Sequence, residues 1–115
     1  MPHTMQELTP QQMRIVERLF EAGFRPIAIP PYESALCFRR DECVAALAPV
    51  PGGGLRLLAP PTWLVDGKFS VRLKRSGGEA FVWKKTEVPA TRERLAELEK
   101  FTAALNEILA LPPIP

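Results

Sequence analysis

Apolar and polar residues alternate most cleanly between Asp66 and Lys85, DGKFSVRLKRSGGEAFVWKK. Phe69, Val71 and Leu73 interleave with Ser70, Arg72 and Lys74, the period of two expected of a strand with one buried face. Past Ser76-Gly77-Gly78, Phe81 and Trp83 interleave with Ala80, Val82 and Lys84, so the stretch predicts a β-hairpin. A two-residue Gly77-Gly78 loop would pair Leu73 with Val82 and leave Phe81 and Trp83 sharing a face with Lys74 and Arg72. A three-residue Ser76-Gly77-Gly78 loop, with Gly78 left-handed, pairs Leu73 with Phe81 and Val71 with Trp83. A slip of one residue moves every side chain to the other face, so burial of the apolar set selects the three-residue loop.

At the front of this stretch Asp66-Gly67 suits a type I′ turn joining Thr62–Val65 to the hairpin, with Leu64 opposite Phe69 and Trp63 opposite Ser70. Trp63 then falls on the same face as Arg72, Lys74 and Lys84. If helices cover the Phe69/Val71/Leu73/Phe81/Trp83 face, those four residues mark an open sheet face with one aromatic among cations.

The period changes to that of a helix at both ends of the chain. Thr9 is a predicted N-cap, Pro10 occupies the first helical position, and Gln12 completes a capping box. Met13, Ile15, Val16, Leu19 and Phe20 form an apolar stripe, and Gly23 supplies a left-handed stop. A second helix is predicted from an N-cap at Thr91 to about Leu109, with Leu95, Leu98, Phe101 or Thr102, Leu105, and Ile108 or Leu109 on its apolar side. This stripe also fits a short heptad pattern, but too short to argue for a coiled coil, so packing on the sheet is expected.

Between helix and hairpin lie short strands punctuated by turn residues: Arg25–Ile29, Ala35–Arg39, Cys43–Ala48, Leu55–Ala59 and Thr62–Val65. Pro30-Pro31, Pro51-Gly52-Gly53-Gly54 and Pro60-Pro61 separate them. The reading is one α+β domain over residues 8–111, with residues 1–7 and 112–115 as flexible ends. Its core is a five- or six-stranded antiparallel meander carrying the N- and C-terminal helices on one face.

Composition adds little to this picture. The chain has 115 residues, 46% hydrophobic and 24% charged, with a net charge of +2. That charge is too small to indicate nucleic acid or membrane by itself. The absence of a long apolar run or an apolar leader suggests a cytoplasmic protein. The 13 prolines are about twice the usual share and sit at connections, so they punctuate structure. Cys37 and Cys43 are the only cysteines. A three-residue turn over Arg39–Asp41 would bring them opposite each other, whereas a cytoplasmic setting predicts thiols.

No catalytic set assembles from these residues. His3 is the only histidine and no nucleophile motif is present. The tri-glycine run lacks a Gly-Lys-Ser/Thr ending and a following helix, so it is read as a loop and not a phosphate cradle. No metal site, cofactor or enzyme activity is expected. The leading functional expectation is a binding or adaptor module that recognises a protein partner or itself, including as a homodimer. The alternative is nucleic-acid or anionic-ligand binding at Trp63, Arg72, Lys74 and Lys84. No family resemblance emerges from the sequence.

Overall fold

The computed structural model describes residues 8–30, 32, 35–51 and 53–110; the expectations for the chain ends, residues 1–7 and 112–115, lie outside them. The N-terminal helix α1 spans Pro10–Glu21 with both halves of the Thr9/Gln12 capping box formed. It stops as the sequence requires. Gly23 takes φ +90°, the Gly23 N–H donates to Phe20 O, and the Phe24 N–H donates to Leu19 O. Those two bonds satisfy carbonyls that the helix end would otherwise leave open.

Six short strands follow as one antiparallel sheet: β1 Arg25–Pro26, β2 Leu36–Arg40, β3 Cys43–Pro49, β4 Leu55–Leu57, β5 Thr62–Val65 and β6 Lys68–Phe69. β2 pairs along one side of β3. On the other side β5 meets its first half and β4 its second half. After a last bond from the Leu58 N–H to Ala46 O, the chain leaves the ladder through Pro60-Pro61, because proline offers no N–H to a neighbouring strand. A second antiparallel sheet of three strands holds β7 Val71–Arg75, β8 Gly78–Trp83 and β9 Thr86–Pro89. The chain closes with α2, Arg92–Leu109, capped by Thr91.

The fold is thus α+β and antiparallel with a helix at each end, as the pattern implied; the second sheet is what it did not show. The two helices and the main core lie on one side of β3, where Cys43, Ala45 and Leu47 meet Ile15, Val16, Leu19, Leu98, Phe101 and Leu105. Val44 and Ala46 point the other way into a smaller core with Ile29, Leu64 and Phe69. β3 is buried on both faces, and its sequence therefore reads as a continuous apolar run instead of an alternation.

The hairpin register differs from the sequence-based expectation. Arg75 pairs with Gly78, Leu73 with Ala80, Arg72 with Phe81 and Val71 with Val82, so the loop is Ser76-Gly77 and Gly78 takes φ +133° in the first paired position. Phe81 is fully buried while Val71 is 58% exposed. Two aromatics, Phe81 and Trp83, share their face with Arg72 and Lys74, which stay exposed. The two aliphatics of β7 are left outside. Aromatic side chains carry the larger buried area, and long cationic ones can bury stems while keeping their heads wet.

The expected single strand from Phe69 to Lys74 is also broken. Ser70 is buried, its hydroxyl donating to Trp63 O and lying 3.0 Å from Thr62 Oγ1. These contacts end one sheet at Phe69 and let the chain enter the other at Val71.

Candidate functional site

The four residues singled out from the sequence do not form an open face. Trp63 pairs with Cys43 and is 9% exposed, stacked on Phe81 at 5.9 Å between ring centres. Arg72 does not share its sheet: it lies in the three-stranded sheet opposite Phe81, and the Trp63 ring is packed in the core that the helices cover. Trp83, expected to be the buried tryptophan, is only half-buried. Lys84 sits at φ +52° in the loop between β8 and β9, with Nζ 5.5 Å from the Trp83 ring centre. Arg72 and Lys74 remain exposed on β7.

β7 itself is the unusual element. It is exposed at all five positions and has β8 as its one neighbour in the sheet. In a hairpin closed by a two-residue loop, the pair flanking the loop exchanges both backbone bonds and the pattern alternates from there. Arg75, Leu73 and Val71 therefore turn their N–H and C=O groups toward β8, and Arg72 and Lys74 turn theirs outward. One bond confirms the parity: Glu79, opposite Lys74, gives its carbonyl to the Ala90 N–H, on the far side from β7. Among the described residues, no backbone bond outside the strand ladders involves Arg72 or Lys74.

The start of β7 lines two clefts that share Pro60, Pro61 and Arg72, with Val71 also lining the first. One, of 480 Å³, is walled by Tyr32, Pro60, Pro61, Phe69, Arg72 and Trp83. The other, of 490 Å³, runs between Pro60-Pro61 and the part of α2 over residues 95–106. Pro60 and Pro61, just before the start of β5 at Thr62, form a wall of both.

Charge along the edge is partly neutralised. Arg72 donates through Nε and Nη2 to both carboxylate oxygens of Glu79, at 2.8 and 3.0 Å, and Arg75 donates to Glu87 Oε1. Hydrogen bonding from Arg72 holds the Glu79 carboxyl below its ordinary range. With the folded-state value lowered, this bridge contributes fully above the ordinary carboxylate pKa and is lost as pH falls through the lowered one.

Other candidate chemistry is absorbed by structure. Cys43 pairs with Arg40 across a two-residue Asp41-Glu42 turn, and Cys37 pairs with Ala46. The cysteines therefore lie on opposite faces of the sheet, which rules out the disulfide that a three-residue turn would have allowed. Burial, with a smaller effect of Glu97, pushes the Cys43 thiol up to about 12, so it is not a nucleophile near neutral pH. In the glycine loop, the Val50, Gly53 and Gly54 carbonyls converge on the Gln12 side-chain amide. Carbonyls gathered in this way do not make an anion cradle. Among the described residues, no three His, Cys, Asp or Glu side chains gather as a metal site, and no helix is long and apolar enough to cross a membrane.

No protein-family model matches this chain, nor does any curated protein or solved structure. The sequence reading missed the Pro60-Pro61 clefts and the β7 edge. Paired prolines just before a strand were the available signal, since they forbid the ladder that would have closed the gap.

Proposed function

We propose that this protein is an interaction module that binds an extended segment of another protein by strand addition to β7. The carrying observation is the edge itself: a strand exposed along its whole length, with the backbone groups of Arg72 and Lys74 turned outward and Arg72 lining the 480 Å³ cleft. An added strand gains main-chain hydrogen bonds from such an edge, and an adjoining pocket reads its side chains. Proteins commonly blunt free edges with charge or proline. Here the prolines stand across the gap, and β7 has none. Its cations do discourage one occupant. Two copies of β7 paired antiparallel about Leu73 would set Arg72 of one beside Lys74 of the other, and like charges directly opposite destabilise a pair. The reading is therefore a module for a different protein.

Selection from a random-peptide library tests it. Selected peptides are expected to shift the backbone amide resonances of Arg72 and Lys74. Lys74→Pro, which removes an outward N–H and leaves the bonds to β8 in place, is expected to abolish their binding with little loss of stability. Selected peptides that bind Lys74→Pro as tightly as the parent would exclude strand addition.

A further inference from the structure

Strand addition at β7 carries a charge requirement, and we infer that the segment it receives is acidic; this rests on the strand-addition reading above. Residues directly opposite in a sheet share a face, with Cβ atoms about 4.5–5.5 Å apart. Partner side chains opposite Arg72 and Lys74 would therefore lie against these two cations. β7 reads Val-Arg-Leu-Lys-Arg, with three cations and no anion. Glu79 engages Arg72 and Glu87 engages Arg75, but among the described residues no carboxylate lies within ion-pair distance of Lys74. Lys84 and Lys85, in the loop following β8, add positive charge at the Val71 end of the small sheet.

The segment this edge fits has a carboxylate opposite Lys74. It also has an apolar side chain where it passes Arg72 and enters the cleft between Pro61 and Trp83. A peptide suits the site better than a nucleic acid. The arginines that would grip phosphates are already engaged by carboxylates, and Trp63 is packed inside, where no base can stack on it.

The test uses labelled peptides in which threonine alternates with glutamate, glutamine or lysine around one leucine, with oligothymidylate alongside, followed by fluorescence anisotropy and amide shifts. The glutamate peptide is expected to bind about tenfold tighter than the glutamine peptide, a margin that shrinks as salt rises. Lys74→Glu is expected to reverse the preference toward the lysine peptide. Equal binding of the glutamate and glutamine peptides, with shifts at Arg72 and Lys74, would overturn the acidic preference and leave strand addition standing. Failure of every peptide to bind would remove both. Oligothymidylate binding through Arg72 and Lys74 more tightly than the glutamate peptide would overturn the inference in favour of a nucleic acid.

Discussion

Trp63→Ala is expected to destabilise the protein by about 3–5 kcal/mol, the range for truncating a large core aromatic. Trp83→Ala is expected to cost clearly less. Trp63 is 9% exposed and lies in the main core, its ring stacked on the fully buried Phe81, whereas Trp83 is half-buried at the wall of a cleft. Phe81→Ala belongs with Trp63→Ala, because it opens the other half of the same stack. The pair should therefore be non-additive: once one ring is gone, removing its neighbour costs less. Urea unfolding of the single and double variants decides this. Equal losses at the two tryptophans, or a larger loss at Trp83, would mean that the hairpin is registered the other way.

Gln12→Glu is expected to cost about 2–4 kcal/mol, although glutamate at this position of a capping box is ordinarily favourable. The carboxylate would keep the acceptor for the Thr9 N–H, and its charge near the start of α1 is worth up to about 1 kcal/mol. It loses the amide hydrogens that now meet three carbonyls at 3.2 Å, and it sets a negative charge against them in a nearly closed site. The loss exceeds the gain. The Gly53-Gly54 turn cannot easily move away to compensate, since it is seated on α1 so closely that a Cβ at Gly54 would lie 3.0 Å from Ile15 Cδ1. The deficit should narrow in acid, where the protonated carboxyl donates one bond again. Thermal unfolding across pH follows both effects, and a Gln12→Glu variant as stable as the parent would show that the amide does not hold the loop.

Local signals were legible where one residue decides one conformation. Thr9, Pro10 and Gln12 gave the start of α1, Gly23 its end, Thr91 the start of α2, and Asp66-Gly67 the turn between β5 and β6, with Leu64 opposite Phe69. Readings that depend on which side of a strand is covered were not recoverable in the same way. Trp63 was placed on an open face and instead lies in the main core, because alternation alone does not say which side the helices take. Cys43–Leu47 carries no alternation at all because both faces are buried. The break at Ser70 was hidden for a different reason: it depends on a hydroxyl contact with Thr62 and Trp63, eight and seven residues earlier, and Phe69 and Val71 look alike in sequence although only Phe69 is buried. The strand Thr86–Pro89 was passed over as a connection, its single strongly apolar residue Val88 being too little for a periodic signal.

Hydrogen exchange at the backbone amides of β7, read by NMR on the free protein and on its complex with a library-selected peptide, bears most directly on strand addition. In the free protein the Arg72 and Lys74 amides are expected to exchange rapidly and those of Val71, Leu73 and Arg75 slowly, because only the latter face β8. In the complex all five are expected to be slow. Protection of Arg72 and Lys74 in the free protein, or their continued rapid exchange when peptide is bound, would contradict an edge that is open until a partner strand closes it.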